Sequence, residues 1–172
     1  MRYTNFEVDH MLESMKILID TREQNTESLK RRIESFGCPS ERCCLNVGDY
    51  SVAYTNTAGE IVNLSDKISV ERKLNADELC NCFTKGRERF RREFERAKEK
   101  NMKLHLIIEN ESWERVFAGK YRSRMNPDAI IASMLAWSIR YNFNIHFCKK
   151  ETTGKLIYKI LRYELKEILE NA

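Results

Sequence analysis

Along this chain, short apolar runs trade places repeatedly with stretches of helical periodicity. Thr4-Asn5-Phe6-Glu7 has the spacing of a capping box, in which the threonine and glutamate satisfy each other's free backbone donors. It predicts a short N-terminal helix to about Ser14. The run Lys16–Asp20 (KILID) is apolar and closed by an acid, which reads as a strand. A polar helix is expected from about Thr26 to Phe36, stopped by Gly37 and Pro39. Four β-like runs follow at Cys43–Val47, Ser51–Tyr54, Ile61–Leu64 and Ile68–Glu71, with a hairpin turn at Thr55–Glu60.

Asn75 opens the next helix, and Glu78 stands where it would complete a second capping box. Another helix is expected over about Arg87–Lys100, then a buried strand at Leu104–Ile108. Asn126-Pro127-Asp128 is a helix start, because proline in the first helical position gives up a donor that had no partner. That helix should run to about Tyr141, followed by a strand at Asn144–Cys148. Thr152–Glu170 closes the chain as an amphipathic helix with Leu156, Ile160, Leu161, Leu165 and Ile168 on one face. Strands alternating with helices imply an α/β fold, a mixed central β-sheet covered by helices. The segment Ala129–Tyr141 is apolar nearly all round, so both its sides should be buried, in the core or at a homodimer interface.

At 172 residues the chain is expected to form one domain, residues 1–172. Within it we distinguish a helical extension (1–15), a core (16–150) and a C-terminal helix (151–172). A composition 42% hydrophobic and 33% charged excludes a disordered chain and a membrane protein. The first ten residues are polar and acidic where an export signal needs an apolar core, so a cytoplasmic location is expected. The six cysteines should then be reduced. No paired zinc-knuckle spacing is present, Cys80-x-Cys82 being the nearest approach, and small buried hydrophobes are the expectation. The net charge of +4 is compatible with nucleic acid as a partner without pointing to it.

Candidate chemistry sits at the strand ends. Asp20, Asp49, Glu71, Asp77 and Glu109 all fall at or just beyond them, on the side where α/β sheets collect their active sites. Glu71 and Lys73 are two apart on an extended run, so carboxylate and ammonium share one face. A second carboxylate from a neighbouring strand would make an oxygen cage for Mg²⁺ or Mn²⁺. Phosphodiester hydrolysis needs what such an ion supplies, an activated water and neutralised charge. In the helix Arg87–Lys100, Arg89, Arg92, Arg96 and Lys100 flank one side of the seam Phe90, Phe94, Ala97, while Arg87, Arg91 and Lys98 flank the other. Arg87 and Arg91 are the expected phosphate contacts, Arg87 first because a helix start favours an anion. Lys120-Tyr121-Arg122-Ser123-Arg124 has the composition of a phosphate-gripping loop. His105 and His146 lie within strand runs near the core.

The segments Ile19-Asp20-Thr21-Arg22-Glu23, Val47-Gly48-Asp49-Tyr50 and Val70-Glu71-Arg72-Lys73-Leu74-Asn75-Ala76-Asp77 resemble the signature of the XPF nuclease family, within the PD-(D/E)xK superfamily. Leu106-Ile107-Ile108-Glu109 and Gly86-Arg87 with Phe90 resemble its next strand and its DNA-facing helix start. In layout the chain is most similar to stand-alone versions found in phages and prophages; the helix-hairpin-helix domain that follows the nuclease in other members is not expected here.

The resemblance implies a restriction-endonuclease-like fold and a metal-dependent endonuclease that cuts duplex or branched DNA, in repair, recombination or replication of mobile DNA. It further implies Asp49 and Glu71 as metal ligands, with Asp20 and Glu109 as direct or water-mediated ligands, and Lys73 as the catalytic lysine. Arg22 and Arg72 would face phosphate or orient the acids. For Asp77, two readings stay open: an acid favoured by the helix dipole, or an orienter of Lys73 or Arg72. No organic cofactor and no membrane are expected. The alternative is a catalytically silent DNA-binding or scaffold module; the presence of Asp49, Glu71 and Lys73 together argues against it.

Overall fold

The structure, a computed structural model, describes residues 3–172. In chain order its elements are α1 (Asn5–Glu13), β1 (Lys16–Asp20), α2 (Glu27–Glu34), β2 (Ser40–Cys43), β3 (Tyr50–Thr55), β4 (Ile61–Asn63) and β5 (Ile68–Lys73). There follow α3 (Ala76–Phe83), α4 (Arg87–Glu99), β6 (Lys103–Glu109), α5 (Trp113–Phe117), α6 (Pro127–Tyr141), β7 (Phe143–Cys148) and α7 (Thr153–Glu170). The strands form one mixed sheet in the order β2-β1-β3-β5-β6-β7, with β4 on β3 as the outer arm of a hairpin. Within it β3 runs antiparallel to both β1 and β5, whereas β5, β6 and β7 are parallel.

Period-two alternation divides the side chains between two cores. One face carries Ile17, Ile19, Val52, Ile68, Val70 and Ile107 against α1, α2 and α7. The other carries Leu104, Leu106 and Ile108 against the aromatic cluster Phe83, Phe90, Phe94 and Trp137 of α3, α4 and α6. Adjacent residues of β5 therefore serve different layers: Glu71 and Lys73 point with the second core, Arg72 with the first.

Several sequence expectations shift in detail. The Cys43–Val47 run is not a strand: β2 ends at Cys43, and the Leu45 N–H donates to the Asp20 carboxylate instead of a ladder. The α1 capping box forms as expected. At α3 the Asn75 side chain caps Glu78 N–H, but the Glu78 carboxylate takes the Leu74 N–H, so that box stays half made. The short α5 carries no strong periodic signal and is not foreseen by the sequence pattern. Only one side of α6 is buried; Leu135 and Ile139 are exposed on the other. On α7 the buried face centres on Ile157, Ile160, Leu161, Leu165 and Leu169, with Leu156 and Ile168 at its margin. All six cysteines are free thiols, yet only Cys80 is buried and Cys44 is exposed.

Candidate active site

Because β3 runs against its neighbours, its first residue lies beside the last residues of β1 and β5. The Asp20 N–H donates to the Asp49 carbonyl, and the Asp49 N–H donates to the Val70 carbonyl, both at 2.9 Å. The turn that delivers Asp49 depends on Gly48. Its φ is +74°, and an added Cβ would lie 2.0 Å from the Ser69 hydroxyl. That hydroxyl donates to the Val47 carbonyl at 2.7 Å, so turn and strand are stitched together with no room for a side chain.

Asp49, Glu71 and Lys73 open into one cleft of about 450 Å³ beneath α4, whose other walls are Arg22, Phe90, Glu93 and the arginines Arg89, Arg92 and Arg96. The Lys73 ammonium donates to Glu71 and lies 5.1 Å from the centre of the Phe90 ring. Burial by itself favours the neutral amine, but Glu71, Cys82 and Asp49 together outweigh it and raise the Lys73 pKa, so the ammonium stays charged. Glu71 is held well above the ordinary carboxylate range, first by burial and then by repulsion from Asp49. Asp49 is pushed up to about 7 by burial and by Glu23, against the pull of Lys73 and the Arg72 N–H that it accepts at 2.8 Å. Two buried carboxylates thus crowd together beside one ammonium, each pushed toward its neutral form.

Such crowded carboxylates suit a divalent cation, which relieves their mutual repulsion. No group of three His, Cys, Asp or Glu side chains that could hold an ion occurs among the described residues. Mg²⁺ does not need one: it keeps several of its waters and binds through one or two carboxylates plus substrate oxygens. Asp49 and Glu71 meet that requirement.

The other predicted residues divide. Asp20 is buried and its oxygens are occupied: the Arg22 guanidinium donates to both, at 2.9 and 2.8 Å, and the N–H groups of Arg22 and Leu45 add 2.7 and 3.0 Å contacts. These bonds outweigh the effect of burial and lower the Asp20 pKa. Asp20 therefore sets Arg22 at the cleft wall and has little capacity left for an ion. Glu109 and Arg72 lie on the opposite face of the sheet, since Glu109 alternates with Ile108. There Arg72 and Arg32 approach Glu109 at 3.3 and 3.7 Å. Asp77 does not line the cleft; its Oδ1 accepts from the N–H groups of Arg122 and Ser123. Arg87 donates to the Phe83 carbonyl and covers the Trp137 ring, and Arg91 pairs with Glu88 and Glu95, so neither reaches the cleft. The helix is rolled so that its aromatic seam meets Trp137, and this turns Arg89, Arg92 and Arg96 inward. Lys120, Arg122 and Arg124 are exposed on a loop beyond the end of β5.

Three residues of weight escaped the sequence reading. Glu93 accepts the Gly48 N–H at 2.8 Å and borders the cleft; its signal was an acid beside the apolar seam. Arg32 is buried on α2 where the pattern Leu29, Ile33, Phe36 calls for an apolar residue. Glu23 accepts the Tyr50 hydroxyl at 2.7 Å and lies 3.4 Å from Arg32.

The ERCC4 domain family matches this chain over residues 19–160. No curated protein matches it by sequence. Among solved structures, XPF from Aeropyrum pernix is similar with a TM-score of 0.61 and 23% identity, over 87% of this chain and 61% of that one. XPF from Aeropyrum pernix in complex with DNA gives a TM-score of 0.63 at 23% identity, over 88% of this chain and 66% of that one. The chain thus spans less than two thirds of the length of either, and at this identity the likeness is one of fold.

Proposed function

Because the chain belongs to the ERCC4-domain, XPF-type family, we propose that it is a divalent-metal-dependent endonuclease that hydrolyses phosphodiester bonds in DNA. The observation that carries this reading is the pairing of Asp49 and Glu71 beside a charged Lys73, in a cleft ringed by arginines.

Each residue has a defined task. Arg22, Arg89, Arg92 and Arg96 gather a phosphate and hold it against the strand ends. Asp49 and Glu71 would hold Mg²⁺ or Mn²⁺, which when bound lowers the pKa of a coordinated water and neutralises phosphate charge. Lys73, being protonated, is a donor and not a base. Its ammonium strengthens its contact with a phosphate oxygen as negative charge accumulates there. Phe90 and the aromatic core behind it keep the Lys73 stem dry and its position narrow. Glu93 steadies the Gly48 turn and so the aim of Asp49.

In this reading residues 1–172 act as one cytoplasmic nuclease unit, serving repair, recombination or replication of mobile DNA. A homodimer through the exposed Leu135–Ile139 side of α6 belongs to it as well. No helix among the described residues is long and apolar enough to cross a membrane.

The test uses wild type and Lys73→Ala with labelled duplex, single-stranded, flap and fork DNA in Mg²⁺, Mn²⁺ or EDTA. Cutting that needs the metal and vanishes in Lys73→Ala, with DNA binding kept, is expected. Binding without cutting in every condition would replace this reading with that of a silent binding module.

A further inference from the structure

We infer that Asp77 is a positioning residue for a DNA-gripping loop beside the cleft, and that this is its role instead of a share in the chemistry. The inference rests on the endonuclease reading and assigns the grip on the strand as it leaves the cleft.

Asp77 lies in the first turn of α3, four residues beyond Lys73. One carboxylate oxygen accepts two successive backbone donors, the Arg122 N–H at 2.8 Å and the Ser123 N–H at 2.7 Å. Paired N–H groups on one oxyanion hold a loop more firmly than a side-chain contact, because both partners are already fixed in direction. The loop closes on itself around that anchor. The Tyr121 hydroxyl donates to the Met125 carbonyl at 2.8 Å, the Met125 N–H donates to the Ser123 hydroxyl at 3.2 Å, and Arg115 donates to the Lys120 carbonyl at 3.1 Å.

What the loop displays is cationic. Lys120, Arg122 and Arg124 are exposed, and none of them forms an ion pair among the described residues. They border two adjoining hollows, of about 640 and 930 Å³, that share Leu74, Asn75, Asp77 and Arg122 as walls. Leu74 follows Lys73 directly, so the groove begins where the catalytic strand ends. A DNA strand leaving the cleft on that side meets these cations next. Asp77 is absent from the cleft itself and its engaged oxygen faces the loop. The acid thereby links the strand that carries Glu71 and Lys73 to the surface that would hold the strand's phosphates.

The experiment measures oligonucleotide affinity by fluorescence anisotropy in the Lys73→Ala background across a salt series, then kcat and KM in the active protein. Asp77→Ala should weaken binding roughly 5- to 10-fold and flatten the salt dependence by about one to two phosphate contacts. Arg122→Ala/Arg124→Ala, an exposed double change that leaves the fold alone, should do the same, and Asp77→Ala should add little on top of it. Asp77→Asn should bind nearly as wild type, since its amide oxygen accepts the same two N–H groups. In the active protein the losses should fall on KM, with kcat within a few-fold. Asp77→Asn losing kcat as badly as Asp77→Ala, at unchanged KM, would overturn the inference in favour of an acid acting in the chemistry. So would Asp77→Ala binding with an unaltered salt slope while the Lys73→Ala parent binds DNA. A parent that binds no DNA removes the endonuclease reading, and this inference with it.

Discussion

Arg72 donates to Glu109 at 3.3 Å on the face of the sheet turned away from the cleft, although Arg72 stands between the cleft residues Glu71 and Lys73. The signature run of β5 therefore looks both ways. Its odd positions equip the site, and its middle residue ties the strand to a buried set of charges under α2. Glu109, Arg32, Glu23 and the Tyr50 hydroxyl complete that set.

Breaking this set should cost stability more than chemistry. Glu109→Gln would leave Glu23 as the sole carboxylate facing both Arg32 and Arg72, and removing one partner from a buried ionic set typically costs up to about 3–5 kcal/mol. The expected outcome in urea denaturation is a midpoint well below wild type, with Mg²⁺ affinity of the folded protein unchanged by calorimetry. A Glu109→Gln protein of normal stability that no longer binds the ion would restore Glu109 as a ligand.

Asp49 should behave in the opposite way. With its folded pKa near 7 and an unfolded value near 4, the folded state holds more protons between those limits. Stability of the metal-free protein should therefore fall as pH rises through that window, and Glu71, raised for the same reasons, adds to the trend. Asp49→Asn removes the repulsion and keeps an oxygen for the Arg72 N–H. Thermal unfolding in EDTA at pH 8 should show it more stable than wild type by roughly 1–3 kcal/mol, with cleavage abolished. Added Mg²⁺ should raise the wild-type midpoint and leave the variant where it was. A destabilised Asp49→Asn would mean that the carboxylate is not crowded.

Most of the sheet, and the trio Asp49, Glu71 and Lys73, was legible in the sequence because period and caps are local properties. The N-caps at Thr4, Thr26, Asn75 and Asn126 each form where the side chain types predict. What was not legible depended on orientation. A strand-end acid such as Glu109 is assigned to the cleft or to its reverse by one residue of register, which motif spacing alone does not fix. The arginines of α4 lie on both flanks of the seam, and the roll of the helix on Trp137 decided which flank faces Glu71. Asp77 was ambiguous for a related reason, since its partners lie 45 and 46 residues away along the chain.

A second pH effect is expected from the far end of the sheet. His105 bridges the His146 Nε2 at 2.9 Å and the Glu164 carboxylate at 2.8 Å. Burial and the neighbouring His105 lower the His146 pKa, so the fold favours its neutral form. That preference costs nothing above the unfolded value near 6.5 and becomes a penalty as pH falls below it. Replacing His146 with Gln should reduce the loss of melting temperature between pH 7 and pH 5, by a few degrees. Identical pH profiles for the two proteins would show that His146 does not titrate in this range.

The exposed side of α6 gives the last expectation. Ile139 is 81% exposed, Leu135 is 45% exposed, and Phe117 of α5 is exposed as well, a combination unusual for a solvent face. Sedimentation at micromolar concentration should give the mass of a dimer, and Leu135→Glu/Ile139→Glu that of a monomer with an unchanged melting profile at low concentration. A monomeric wild type would sink the expectation.

The placing of β3 between β1 and β5 also bears on when the chain could act on DNA, on the proposed endonuclease reading. Asp49 is brought beside the strand of Glu71 by the antiparallel β3–β5 pairing, while the β1–β3 pairing sets Asp20 on its other side. Loop-closure entropy must be met before such non-local pairings are rewarded. A chain in which β3 and β5 are unpaired does not hold Asp49 beside Glu71. On that reading cutting would require the pairing, so a copy that had not formed it would be inert.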